Sequence, residues 1–489
     1  MLLVLLYFGI VGLVLCLSLI GPVFVSLLAG EIEVAQRLGV YLLLGSFLFG
    51  SLVLAVMQRK SQLPEVGKLV LLTAVWIVLP IFAAIPMADI SQLGFLDSLF
   101  EAVSGLTTAG GSILKTVEAW PQGLLFWRIQ LQWFGGFLAL LTVLLIVAPM
   151  RIGGLTSRSE VHLGNLDRNG TQRRAFTSVS KIFGVYTAMT VICAIVLFMS
   201  GTRAFYSVTL AMTAVSTGGL LPFDGALDSY VSSIGMFAMI VFLLLGATSV
   251  FWQRMLIDRH ISRLTSHRES YSVIALIGAL SFIYMLIIVS ISAPSANAIG
   301  KALLEGFFVA TSLVATSGIE ARPGTIPLIP LIVVLFIIVL GGSAYSTTGG
   351  LKHYRLGAML VQSWNEIERL IYPHNVRPAR FGSQDYDIHL MKAIWSFFTV
   401  MILTIALLSI IVAASGIPFE AALSATIATV TTAGPVYETG WAAPGAEAWP
   451  AYSDFNSVGK LALILAMILG RLEVLVILAL ASTKYWFNR

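Results

Sequence analysis

Long uncharged stretches alternate with short charged ones along the whole chain. A helix needs about 20 apolar residues to cross the hydrocarbon core of a bilayer. Uncharged stretches of that order occur at 1–30, 38–58, 69–88, 129–150, 182–202, 229–253, 270–300, 323–351 and 393–419. A tenth, 461–483, is broken by Arg471 and Glu473. One further stretch, 204–223, is of similar length and competes with them. Long apolar runs can span lipid only as helices, because every backbone N–H and C=O must find its partner within the segment. The pattern therefore predicts an all-α membrane protein.

Charge decides whether 204–223 crosses. Its flanking loops are both basic, with Arg151, Arg158, Arg168, Arg173, Arg174 and Lys181 before it and Arg254, Arg259, Arg263 and Arg268 after it. Basic loops stay on the cytoplasmic side. Two spans between the loops keep both inside; a third would not. The stretch 204–223 is thus expected to enter and return on one face, which is tolerated only where it is buried in protein or lines water. The resulting ten-span arrangement has both termini in the cytoplasm and places 21 of the 29 Lys and Arg inside. The outer segments hold fourteen Asp and Glu, among them Asp97, Glu101, Asp224, Glu305, Glu320, Glu420 and Glu438. An acidic outer mouth gathers cations.

Composition agrees. The 489 residues are 58% hydrophobic and 11% charged, against about 25% charged in a soluble domain. The first residues, MLLVLLYFGIVGLVLCLSLIGPVF, lack a basic leader and run longer than the apolar part of a signal peptide, so a retained first span is expected. Cys16 and Cys193 both fall in apolar spans and form no disulfide framework. The net charge of +5 is read as basic loops beside membrane lipid, not as a nucleic-acid surface. His162, His260, His267, His353, His374 and His389 lie in or beside inner loops without metal-ligand spacing. No nucleophile–base set, phosphate-binding glycine loop or metal cluster is present, so an enzyme is not expected.

Four segments share one ending. They read FLDSLFEAVSGLTTAG (95–110), AFYSVTLAMTAVSTG (204–218), ALLEGFFVATSLVATSG (302–318) and PFEAALSATIATVTTAG (418–434). Each predicts a short helix closing on hydroxyl and small residues and then a glycine: Gly110, Gly218, Gly318 and Gly434. Shared chemistry at a near-fixed period marks repeated architecture. The chain then divides into two extra spans (1–60) and four repeats (61–150, 151–265, 266–385 and 386–489), each a span, a short helix, a glycine loop and a span around a pseudo-four-fold pore. A cation crossing lipid must exchange water for oxygen ligands, and loops lining a pore supply them as rings of carbonyls. Glycine tolerates the backbone conformations needed to turn carbonyls to one side. The expected ion-lining residues are Thr108, Ala109 and Gly110; Ser216, Thr217 and Gly218; Thr316, Ser317 and Gly318; and Thr432, Ala433 and Gly434. A Gly/Ser/Thr run inside 323–351 should also break that helix.

Taken together, SGLTTAG (104–110), LFWRIQLQWFGG (125–136), AVSTGG (214–219), GGSAYSTTGGLKHYR (341–355) and GRLEVLVILAL (470–480) resemble the Trk-type potassium uptake proteins, whose superfamily also holds the Ktr and HKT transporters. The two leading spans favour the TrkH branch. The resemblance implies potassium as the transported ion, with Gly at all four filter positions where a Ser at the first accompanies sodium permeation. It implies an intramembrane gating loop at 341–350, with Gly341, Gly342, Ser346, Thr347, Thr348, Gly349 and Gly350, and a pore-facing Arg471 below the filter. It further implies a homodimer in the bacterial cytoplasmic (inner) membrane and a cytosolic TrkA-type regulatory subunit that carries the nucleotide. The third loop (ATSGIE) and the fourth (TTAGPV) depart from the family's usual forms.

Two charged sites stand out. Arg471 and Glu473 are two apart and do not share a helix face, so Arg471 needs another partner or the pore. Arg128 is expected to pair with Glu101. A sodium-permeable protein of the same fold and a secondary transporter of a small solute are the alternatives. The second is disfavoured because all four repeats run in the same orientation.

Overall fold

The computed structural model describes residues 2–57, 63–150, 152–155, 171–257, 268–291, 296–372, 379–381, 384–441, 448–472 and 475–476. Glu473, Arg151, Arg158, Arg168, Arg259, Arg263, His162, His260, His267 and His374 lie outside the described residues.

The first predicted span consists of α1 (Leu2–Ser18) and α2 (Ile20–Leu28), and α3 (Ile32–Val56) returns beside them. The junction at Leu19 has a local cause. Pro22 has no N–H to give to the carbonyl four residues back, that of Ser18. Gln130 fills the gap instead, donating its Nε2 to the Ser18 oxygen at 2.9 Å. Helices α1 and α3 meet over small residues; a Cβ added at Gly12 would strike the Phe49 ring, and one at Gly45 the Cys16 sulfur. Such close approach is how apolar helices associate in lipid, where no hydrophobic driving force separates protein from solvent.

Four units follow. The first is α4 (Glu65–Ser91), α5 (Phe95–Leu106) and α6 (Gln122–Thr142); the second is α7 (Thr171–Met199), α8 (Ala204–Ser216), α9 (Ser233–Ala247) and α10 (Val250–Ile257). The third is α11 (Arg268–Ile291), α12 (Ala296–Val314), α13 (Leu331–Leu340) and α14 (His353–Ile371); the fourth is α15 (Ile388–Ala414), α16 (Phe419–Val430) and α17 (Ser457–Leu472). Among the described residues seven helices are long and apolar enough to cross a membrane, counting Leu2–Leu28 as one. The predicted spans at 229–253 and 323–351 appear as the shorter α9 and α13; α17 covers the start of 461–483, and residues 473–474 and 477–483 lie outside the described residues. Helix α8 has 13 residues, about 20 Å at 1.5 Å per residue. That is too short to cross about 30 Å of hydrocarbon, as the charge argument requires.

The helix that follows the glycine loop in each unit packs on the short helix of the next: α6 on α8, α9 on α12, α13 on α16, and α17 back on α5. The last contact joins the fourth unit to the first and closes a ring. The short helices can sit at its centre because their inward residues are small. Ala421, Ala422, Ala425 and Ala428 of α16 and Ala211 and Ala214 of α8 are fully buried.

Within this helical fold β1 (Ala379–Phe381) and β2 (Gln384–Tyr386) form one short antiparallel ribbon between α14 and α15. The stretch 323–351 is broken as expected, with ten α-helical residues, Leu331–Leu340, after a 3-10 turn at Ile326–Leu328. Helix α13 stops at Gly341, whose φ of +62° a side chain would resist, and helix resumes at His353.

Candidate functional site

All four short helices end in the same way. The N–H groups of Thr108, Thr217, Thr316 and Thr432 each bond a carbonyl three residues back. The next N–H groups, of Ala109, Gly218, Ser317 and Ala433, each reach five residues back, to Ser104, Thr213, Ser312 and Ala428. This pair of bonds closes a helix around one left-handed residue, usually glycine. Here that residue is threonine every time, with φ of 55° at Thr108, 52° at Thr217, 55° at Thr316 and 60° at Thr432. A β-branched residue there is a true outlier.

The shared geometry corrects the register. Thr108, Thr217, Thr316 and Thr432 are equivalent, so the equivalent glycines are Gly110, Gly219, Gly318 and Gly434. The sequence reading paired Gly218 with the other three; Gly218 instead matches Ala109, Ser317 and Ala433. A four-residue frame, any residue–Thr–any residue–Gly, fits TTAG, STGG, ATSG and TTAG and was the available signal.

The glycines are needed chiefly for close approach. A Cβ added at Gly110 would lie 2.6 Å from the Cα of Gly219, and one at Gly219 would lie 2.6 Å from the Ser317 carbonyl oxygen. One at Gly318 would lie 3.1 Å from the Val436 nitrogen, and one at Gly434 would lie 2.7 Å from the Ala109 oxygen. Each loop thus touches its neighbour, first to second, second to third, third to fourth and fourth to first. Polar bonds follow the same circuit. Ser317 Oγ donates to the Gly218 carbonyl at 2.5 Å, the Thr316 and Thr432 hydroxyls lie 3.4 Å apart, and the Gly434 N–H donates to the Ala109 carbonyl at 2.6 Å. Between the first two units, Gln132 accepts from the Leu220 N–H at 2.9 Å and donates to the Thr213 hydroxyl at 3.2 Å.

Beyond the ring, the predicted gate residues meet the four threonines directly. Thr217 and Thr347 hydroxyls lie 2.9 Å apart. The Gly349 N–H donates to Thr316 Oγ1 at 2.9 Å. A Cβ at Gly349 would strike the Thr432 hydroxyl. The loop is tied to itself and to its surroundings: Ser346 Oγ donates to the Ser343 carbonyl at 2.6 Å and lies 2.8 Å from Thr348 Oγ1, which accepts from the Gly342 N–H at 3.2 Å. Gly350 turns the chain at φ +78°. Arg471 spans the gap between ring and loop. Its Nε donates to the Thr107 carbonyl at 2.6 Å, its Nη1 to the Thr347 carbonyl at 2.8 Å, and its Nη2 to the Thr108 hydroxyl. Lys352 was not singled out from sequence. Its ammonium bonds the Thr348 carbonyl and hydroxyl and so braces the same loop.

Most of the acids assigned to the outer face are paired or capped. Glu101 is fully buried against Arg128 at 2.6 Å, as expected, and also accepts from Ser112 Oγ and the Ile113 N–H. Asp97 pairs with Lys460 at 2.6 Å, Asp228 and Glu305 with Arg322 at 2.8 Å each, and Asp224 accepts from two backbone N–H groups. Glu320 caps its own loop through the N–H groups of Gly324 and Ile326; burial still pushes its carboxyl up to about 7. Glu438 closes the short turn Gly434–Glu438 and is exposed. Desolvation there pushes its carboxyl up to about 7, with the Tyr452 N–H and the Arg128 charge pulling it down and Glu101 raising it. Among the described residues no group of three His, Cys, Asp or Glu converges to hold a metal. A cation in this ring would meet carbonyl and hydroxyl oxygens.

A family model described as a cation transport protein, TrkH, matches residues 46–486. The Trk system potassium uptake protein TrkH of Halomonas elongata is 26% identical over 98% of both chains. The protein of that name from Escherichia coli K12 is 27% identical over 88% of both. An uncharacterized cation transporter of Methanocaldococcus jannaschii is 24% identical over 84% of this chain and 81% of its own. Among solved structures, the potassium transporter TrkH from Vibrio parahaemolyticus superposes with a TM-score of 0.84, at 22% identity, over 99% of this chain and 100% of that one. At that identity the superposition speaks for the fold.

Proposed function

The chain belongs to the TrkH family of cation transport proteins, and from that premise we propose that it takes up potassium through the ring of four loops. The observation that carries the reading is the ring itself. Four loops with one backbone geometry meet in a closed circuit, and only glycine fits where they approach most closely. An ion that has shed its water finds neutral oxygens there, and their number and spacing decide which cation is repaid for dehydration. The relatives named above as potassium uptake proteins point to potassium over sodium.

The remainder of the proposal follows the same division of the chain. Residues 1–60 add two spans, and the pore repeats occupy 61–150, 151–265, 266–385 and 386–489. The protein lies in a bacterial cytoplasmic membrane with ten spans and both termini inside. Residues 341–350 and Arg471 form the gate, closed in this conformation because the loop meets the Thr217, Thr316 and Thr432 hydroxyls and Arg471 meets that of Thr108. The protein works as a homodimer under a cytosolic TrkA-type subunit that holds the regulatory nucleotide.

Tracer flux into liposomes with potassium, rubidium and sodium compared is the direct test. Gly318→Ser puts a side chain at φ +69° within 3.1 Å of neighbouring backbone. It should cut potassium flux and the preference over sodium together. Flux and preference that both ignore the substitution would refute the filter.

A further inference from the structure

Three junctions of the ring are bridged by the chain itself, since consecutive units are covalently joined. The fourth, between the last unit and the first, has no such link and must close by non-covalent contact alone. The structure supplies such contacts. The Gly434 N–H donates to the Ala109 carbonyl at 2.6 Å, a direct backbone bond from the fourth filter loop to the first. Tyr452, fully buried, stands behind it. Its hydroxyl donates to the Gly434 carbonyl at 3.0 Å, its ring lies against Gly111 and packs on Phe100 of α5 at 5.6 Å between centroids. One turn into α17, Lys460 reaches Asp97 at the start of α5 at 2.6 Å. Their side chains are 11% and 31% exposed, so this pair is shielded more than an ordinary surface pair.

Resting on the filter reading above, we infer that Asp97, Lys460 and Tyr452 form a clasp across the seam between first and last units, and that this clasp sets the spacing of the ring and thereby its choice between potassium and sodium. The three are positioning residues. Lys460–Asp97 fixes where α17 stands against α5, and Tyr452 transfers that position to the Gly434 carbonyl and the Gly111 backbone. A seam that yields by a few tenths of an ångström lets the oxygens close on a smaller ion. A ring joined covalently all round would need no such device.

The test is the potassium-to-sodium flux ratio of the full-length protein in liposomes. Tyr452→Phe removes one hydroxyl and keeps the ring; Lys460→Met removes the charge at similar length. Each is expected to lower the ratio about tenfold, equivalent to about 1.4 kcal/mol of discrimination. Lys460→Arg should stay near the parent ratio, and the exchange Asp97→Lys with Lys460→Asp should recover part of the loss. A purely structural role would lower yield or thermal stability and leave the ratio alone. An unchanged ratio in Tyr452→Phe and Lys460→Met, with Gly318→Ser lowering it, overturns the clasp and spares the filter. An unchanged ratio in all three overturns both. Should Lys460→Met not fold, Tyr452→Phe decides the matter.

Discussion

Arg471→Ala removes a side chain that reaches in from α17 and bonds both the ring and the loop beneath it. Its Nε and Nη2 bonds go to Thr107 and Thr108, which belong to the ring. Only the Nη1 bond to the Thr347 carbonyl at 2.8 Å is strong and holds the loop; the one to Thr348 at 3.4 Å is long. A charge-assisted hydrogen bond contributes about 1.5–3 kcal/mol. Losing it weakens the closed arrangement relative to the open one by about 10- to 150-fold. Where basal flux is carried by a rare open population, it rises by that factor until opening is no longer rare. Removing a fixed positive charge from the path raises cation passage further. Arg471→Lys separates the two effects, because an ammonium keeps the charge but cannot fork between Thr107 and Thr347. If the tie to the loop governs, Lys behaves like Ala; if charge governs, Lys behaves like the parent. The assay is rubidium influx into potassium-loaded liposomes at equal reconstituted protein. Influx for Arg471→Ala within twofold of the parent, with an intact elution profile, would refute the reasoning.

The other expectations concern the outer face. Glu438 ionises around pH 7, so its negative charge is present above that value and lost below it. Rubidium influx at low external cation should fall as external pH drops from 8 to 6, and Glu438→Gln should flatten the profile; the effect should shrink at high ionic strength. Arg128→Met leaves Glu101 buried without its counter-charge and should cost about 3–5 kcal/mol, read as a large loss of thermal stability in detergent. The double variant with Glu101→Gln should regain much of it.

Much of this was legible in the sequence, for reasons particular residues make clear. The uncharged runs locate the spans because lipid admits few charges, and the basic residues on both sides of 204–223 required its return. Glycines and hydroxyls at 341–350 marked where α13 stops, and the reach of Arg128 to Glu101 was a short one across neighbouring helices. What failed to show depends on distance along the chain. Lys460 and Asp97 are 363 residues apart, and no local pattern links them. Glu320 and Asp224 look like free acids until the loop N–H groups they cap are seen. The extra glycine in STGG hid the register, because glycine content was weighed where the threonine was the constant. Lys352 is one basic residue at a membrane edge, a common feature that carries no signal of the carbonyl it braces.

The left-handed threonines have a consequence for anyone who would redesign this chain. Each holds a conformation that costs about 1–3 kcal/mol for a non-glycine residue, and glycine would take it freely. A procedure that sought only thermostability would therefore rewrite Thr108, Thr217, Thr316 and Thr432 first. It would return a sturdier protein stripped of the hydroxyls on which the inner loop rests.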